Sequence, residues 1–265
     1  MVKILICICS NNINKLKITL ESLLRLRLLA NTQVSILIID NSNNIKINDF
    51  IKVVSKKKFH KIHYFYDKKK GIPNIRNRCL NEIRNIDSNY ICFFDDDTII
   101  HRKWLIENFK IFKRFKNCSI ISGPQNTSKK NIYYDILKPN FKNLEKISWC
   151  PTNNVIFKKQ IINNKKIKFD ERLSNIGGSD QLFFKKLFLK GHEIRWNKNY
   201  PVIEKFQNKR NTFSWFLKRN YRYASSSVLI DRYSYGVVRG LILSMFKMGS
   251  YFLFFLFNLV TLIFN

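Results

Sequence analysis

"YICFFDDDTII", Tyr90 to Ile100, is the stretch whose reading decides the fold. An apolar, aromatic-rich run ends in three adjacent carboxylates, Asp95, Asp96 and Asp97. Such a run, bounded by polar residues, reads as a buried strand. Alternation along that strand puts Asp95 and Asp97 on one side and Asp96 on the other. Two carboxylates on one side of a strand end suit a hard divalent ion, Mg²⁺ or Mn²⁺, whose shell is completed by substrate phosphates. One Asp would suffice to cap the helix expected next, whereas three adjacent like charges repel unless a cation relieves them.

Working toward the N-terminus, strand-like and helix-like segments alternate. "KILICICS" (3–10), "VSILIIDNS" (34–42) and "KIHYFYD" (61–67) read as strands. Leu16, Leu20, Leu23, Leu24 and Leu28 recur at helical spacing over 14–29. A weaker helix is expected over 47–58, and a third over 72–85 with Pro73 near its start, a favoured place for proline. This β-α-β-α-β-α-β order predicts an α/β fold with a mainly parallel sheet flanked by helices. Ligands of such sheets bind beyond the carboxyl ends of the strands. Ser10, Asp40 and the acidic triplet all stand there.

Toward the C-terminus the order is mixed. A helix is expected over 101–115, a strand at 118–125, and a strand with a short helix start over 147–162. A Gly177-Gly178 loop, a helix and a strand follow up to Trp196, then a basic amphipathic helix over 211–230. The catalytic body is expected over 1–207, and 208–265 is expected to hold the basic helix and a membrane-attachment segment. Asp40 either closes an Asx turn or accepts from the imide N–H of a uracil-like base. Asp180, just after Gly177-Gly178, either caps the next helix or acts as a general base on a close-approach loop.

Composition narrows the classes. Hydrophobic residues make up 45% of 265 residues, enough for a full core, which excludes global disorder. The net charge of +30 suits nucleic acid, an anionic membrane or phosphorylated substrates, and is also what A/T-rich codons produce. The basic residues are scattered, which argues against sequence-specific nucleic-acid recognition. The six cysteines contain no CxxC pair and read as free thiols of a reducing compartment, with no zinc site. The opening run lacks the marks of a signal peptide. "MGSYFLFFLFNLVTLIFN" (248–265) carries no charge and, with "GLILSMFK" upstream, is about long enough to cross a bilayer. Arg232, Arg239 and Lys247 precede it, so the body is expected on the cytoplasmic face of the membrane with a C-terminal anchor.

In order along the chain, "ICICSNN", "IIDNSN", "KKKGIPNIRNRCL", "FFDDDT", "HRKWL", "TNNVIFKKQII", "GGSDQLFFKKL" and "VIEKFQNKRNTFSWFLKRNYRYASS" resemble the motifs of the family 2 inverting glycosyltransferases of GT-A fold, bacterial polysaccharide-assembling type. The resemblance covers roughly residues 3 to 227. It implies a nucleotide-sugar donor, a UDP-sugar foremost, and transfer to a hydroxyl of a cell-surface glycan or lipid-linked acceptor, with Mg²⁺ or Mn²⁺ as cofactor. It implies that Ser10 and Asn12 lie against the nucleotide and that Asp40 accepts from the base. Arg76 would approach the diphosphate, Asp95 would face ribose and metal, and Asp97 would ligate the metal. Asp96 would join the nucleotide-sugar site or serve structure. Asp180 would be the general base, and Arg219 and Arg222 would contact phosphate. The sequence departs from the family pattern at Cys9, where a proline is usual, and at Ser179, where a Glu is usual. The alternatives are a non-catalytic scaffold of the same fold and a basic, membrane-associated nucleic-acid-binding protein.

Overall fold

The computed structural model describes residues 1–42, 51 and 59–263, with residues 251–263 described by backbone alone. The weaker helix expected over 47–58 falls largely outside the described residues. β1 (Val2–Ser10), β2 (Thr32–Asp40), β3 (Lys61–Tyr66) and β4 (Tyr90–Asp95) lie side by side in parallel, in the order β3-β2-β1-β4. The sheet continues as β9 (Val155–Lys158), β6 (Cys118–Ser122), β10 (Glu193–Trp196) and β8 (Lys146–Ile147). β9 runs against both of its neighbours and β8 runs against β10, so the other six strands share one direction.

Both faces of the sheet are covered, and the strand pleat assigns residues to each. Ile4, Ile6 and Ile8 pack on one face with Leu16, Leu20 and Leu23 of α1 (Ile13–Leu24) and Trp104, Phe109 and Phe112 of α3 (Trp104–Arg114). Leu5 and Cys7 pack on the other with Ile75, Leu80 and Ile83 of α2 (Ile72–Asn85) and Phe183, Phe184 and Leu187 of α5 (Ser179–Leu189). Burial on both faces explains why β1 reads as a continuous apolar run rather than an alternation. Each of these isoleucines contributes about 1.5–3 kcal/mol through burial. α1 begins at Asn12, whose side chain accepts from the N–H groups of Asn14 and Lys15, and stops at Leu24, earlier than the leucine periodicity predicts. There the chain turns so that the Arg27 N–H donates to the Arg102 carbonyl at 2.7 Å, while Leu26 stays buried. All six cysteines are free thiols.

A second sheet, β5 (Thr98–Ile99), β11 (Val202–Glu204) and β7 (Gln125–Thr127), stands directly after the acidic triplet. α4 (Ile132–Leu137) follows β7. The C-terminal part is a helical hairpin, α6 (Phe213–Tyr235) and α7 (Val237–Ile263). α6 is joined to the body through Ile230, which packs with Leu173 and Leu182.

Candidate active site

The pairing register aligns the strand ends. Ser10 lies opposite Asp40, Asp40 opposite Tyr66, and Cys9 opposite Asp95. The carboxyl ends of four parallel strands therefore form one ledge, and the acidic triplet stands on it. Strand pleating does not separate the three carboxylates, contrary to the alternation expected from sequence. β4 stops at Asp95, and Asp96 and Asp97 form the turn into β5. Hydrogen bonds from neighbouring elements impose that turn. Thr19 Oγ1 donates to the Asp95 carbonyl at 3.1 Å and accepts from the Thr98 N–H at 2.8 Å. Asn153 Oδ1 accepts from the Asp95 N–H and from Thr98 Oγ1, each at 3.2 Å.

The turn sends each carboxylate to a different partner. Asp96 is buried and accepts from Ser10 Oγ at 2.7 Å, which ties the end of β1 to the turn. Asp97 meets Lys15 Nζ at 2.9 Å and Gln207 Nε2 at 3.4 Å. Asp95 keeps 47% of its side chain exposed, with Arg76 Nη2 at 3.8 Å. Arg76 is itself packed over the Phe169 ring. Asp95 is thus open to solvent on one side while its remaining surface is packed against protein. Burial pushes its pKa up to about 7; Arg76 opposes this, and Glu204, Asp97 and Asp96 add to it. Asp96 is raised as well, by burial first, against the hydrogen bond from Ser10 and the charge of Lys15.

Glu204, at the end of β11, is a fourth carboxylate of the cleft. Asn153 Nδ2 donates to it at 3.2 Å and Arg210 Nη1 pairs with it at 3.3 Å. Burial raises its pKa, Arg210 and Arg219 oppose the rise, and Asp97 adds to it. The Tyr134 phenol is raised by burial and then by Glu204, which puts α4 on the same cleft. Asp95, Asp97 and Glu204 are thus each faced by cations, drawn from Lys15, Arg76, Arg210 and Arg219.

The other expected residues are placed as follows. Asn12 caps α1. Asp40 is fully buried; its carboxylate accepts from the Ser42 N–H at 2.8 Å, Ser42 Oγ at 2.6 Å and Tyr64 Oη at 2.8 Å. This is the Asx turn, with Tyr64 holding the second oxygen. Asp180 stands half-buried in the first turn of α5, behind Gly177 and Gly178, both at positive φ. Arg222 lies against this loop: its Nε donates to the Ile176 carbonyl at 3.4 Å, and a Cβ on Gly177 would come within 3.1 Å of its Nη2. Arg219 faces Glu204 electrostatically and stacks on Tyr223.

Among the described residues, no three His, Cys, Asp or Glu side chains converge as a metal cluster. Asp95 and Asp97 nevertheless fit a hard divalent ion of the kind that takes one or two carboxylates plus substrate phosphates. They offer only oxygen, and the burial that raises the pKa of Asp95 penalises its charged form unless a cation offsets it.

The Glycosyl transferase family 2 pattern matches residues 4–188. The chain belongs to glycosyl transferase family 2. No curated protein sequence matches it. Among solved structures, S. aureus TarS 1–349 in complex with UDP-GlcNAc superposes with a TM-score of 0.64 at 14% identity, over 88% of this chain and 66% of that one. The TarS 1–349 complex with UDP gives 0.63 at 13%, over 88% and 65%. The mannosyltransferase PcManGT from Pyrobaculum calidifontis, in complex with GDP-Man and Mn²⁺, gives 0.61 at 12%, over 86% and 62%. The chain thus spans just under two thirds of the length of these structures. At such identity they establish the shared GT-A fold.

Within this family 2 fold, sequence reading passed over four cleft residues. Lys15 sits on an amphipathic helix, where a lysine ordinarily faces solvent. Asn153 lies inside the quoted "TNNVIFKKQII" and Glu204 and Arg210 inside the quoted C-terminal pattern, but none was singled out. A Glu ending a short apolar strand, "PVIE", was the available signal for Glu204.

Proposed function

We propose that this chain transfers a sugar from a nucleotide-sugar donor, a UDP-sugar foremost, to a hydroxyl of a cell-surface glycan or lipid-linked acceptor in one inverting displacement. The acceptor would be met at the cytoplasmic face of a membrane. One observation carries the reading: carboxylates gathered at the aligned ends of β1, β2 and β4, faced by Lys15, Arg76, Arg210 and Arg219. A diphosphate needs cations, and the carboxylates need a divalent ion to sit beside it. The structural neighbours bind UDP, UDP-GlcNAc or GDP-Man, which supports the donor class.

Asp95 and Asp97 would hold Mg²⁺ or Mn²⁺. When bound, that ion offsets the charge developing on the departing diphosphate. Arg76 supplies fixed positive charge on the same side, anchored by Phe169 so that little reorganisation is needed. Lys15 and Arg210 pair with Asp97 and Glu204 and so add fixed positive charge beside the acidic turn. Asp180 takes the proton from the attacking hydroxyl, and Arg222 braces the loop that carries it.

The experiment is nucleotide release from UDP-GlcNAc and GDP-mannose with Mn²⁺, with and without a lipid-linked acceptor. Asp180→Asn is expected to lower turnover at least about a hundredfold with little change in donor KM. Asp97→Ala is expected to abolish the metal dependence. Wild-type transfer by both variants would sink the assignment.

A further inference from the structure

The α6–α7 hairpin is built inside out. Gly240, Leu243, Ser244 and Lys247 form the inward stripe of α7, at helical spacing. Gly240 lies so close to α6 that a Cβ there would fall 2.5 Å from the Arg232 Cα. Lys247 pairs with Asp231, a buried acid of α6. The charge that interrupts the apolar C-terminal sequence is therefore turned toward the partner helix. The opposite stripe is apolar and bare: Val238 is 73% exposed, Met245 67% and Phe246 74%, with Leu241 and Ile242 about half exposed. In water an amphipathic helix buries its apolar face, so a small and charged inner face with an apolar outer one indicates an apolar surrounding.

What covers this face is indicated by its neighbour. A groove of about 660 Å³ is lined by Lys166, Lys168, Arg172, Lys186 and Lys190 and reaches Ser234, at the turn of the hairpin. Its two acids are already engaged, Asp170 by Arg172 in a two-pronged pair and Glu171 by Asn77. Lys166, Lys168 and Lys190 make no ion pair among the described residues. Burial, and then Arg172 and Lys190, pull the Lys186 amine below its ordinary pKa against the opposing charge of Asp170. Tyr233 and Tyr235, in the last turn of α6 beside Ser234, are stacked by Arg172 and by Arg239 and Lys185 respectively. Cations in excess of acids, tyrosines at the turn of the hairpin and exposed aliphatic residues on α7 are the groups that suit headgroups, interface and acyl chains.

We propose that the basic groove and the bare face of α7 form one docking surface for an anionic bilayer, with the groove on the headgroups and the outer stripe of α7 in the acyl boundary. The surface is independent of the transfer reaction and of the uncharged sequence beyond residue 250. That sequence carries no charge, so any preference for anionic lipid must come from elsewhere.

The test uses the full chain, with flotation on phosphatidylcholine vesicles and on vesicles carrying about 30% phosphatidylglycerol. The wild type is expected to prefer the anionic vesicles. Lys166→Gln/Lys168→Gln/Lys190→Gln, all at exposed positions, is expected to lower the partition onto anionic vesicles about a hundredfold and leave the neutral partition unchanged. Phe246→Glu is expected to lower both, with the far-UV spectrum unchanged. An anionic preference that survives the triple substitution overturns the proposal. So does a lipid-free dimer that Phe246→Glu dissociates without altering vesicle binding, since a second copy would then cover the face.

Discussion

The raised pKa of Asp95 makes a prediction about stability, independent of any substrate. Its carboxyl rises from an ordinary value of 3.8 to about 7 in the folded chain. A carboxyl with a raised folded pKa favours the native state while protonated. That benefit is complete below the unfolded pKa and is lost as pH climbs through about 7. At pH 8 the ionised Asp95 therefore strains the native state, and Asp95→Asn removes the strain. At about 1.36 kcal/mol per unit the full shift corresponds to about 4 kcal/mol. With 47% of the side chain exposed, solvent screening reduces this to about 2 kcal/mol. For a chain of this size that is a rise of about 5 °C in Tm at pH 8. At pH 4 the two proteins should melt together, because the wild-type carboxyl is then protonated. Differential scanning calorimetry at the two pH values is the assay. Mn²⁺ with UDP should narrow the gap at pH 8, by stabilising the wild type and not the variant. An unchanged Tm at pH 8, or an equal rise at both pH values, would refute the reasoning, since burial and the neighbouring carboxylates would then not be penalising the ionised Asp95.

Other expectations can be checked on the same protein. Thr19→Val removes the hydroxyl that bridges the Asp95 carbonyl and the Thr98 N–H. It should cost about 1–3 kcal/mol in urea unfolding and raise donor KM, because the acidic turn loses its clamp. Gly178→Ala places a Cβ 2.9 Å from Ile230 at φ +80°, so it should destabilise the docking of α6 by about 1–3 kcal/mol, with turnover falling more than donor affinity. Tyr64→Phe frees one oxygen of buried Asp40 and should cost about 1–3 kcal/mol by thermal melting. Gly240→Leu drives a side chain into the α6 backbone and should open the hairpin, read as faster proteolysis between α6 and α7.

What the sequence disclosed, and what it hid, follows from the range of the forces involved. β1 to β4, α1 and α2 were legible because burial on both faces writes long apolar runs, and because α2 carries Pro73 in its first turn, where proline is favoured. The insertion of β9 against β4, and the small sheet of β5, β11 and β7, were not legible. These pair segments distant in the chain, and a strand of two to four residues carries no periodicity of its own. The site divides along the same line. Asp95, Asp96 and Asp97 announced themselves by adjacency, yet their directions are set by Thr19 and Asn153, which no local pattern connects to them. No local pattern marks Lys15, because Asp97, its partner, is 82 residues away. The boundary expected at 207 splits a cleft in which Gln207 touches Asp97 and Arg210 touches Glu204. The chain closes its own acidic ledge with residues that sequence alone assigns to a membrane-proximal appendage. α6 thus has two attachments: Arg222 and Ile230 face the loop and helix that carry Asp180, while its far end joins the bare helix α7. Because α6 runs unbroken from Phe213 to Tyr235, the contacts that brace the loop before α5 and the turn into α7 lie on one helix, a coupling across distant segments that no local sequence pattern records.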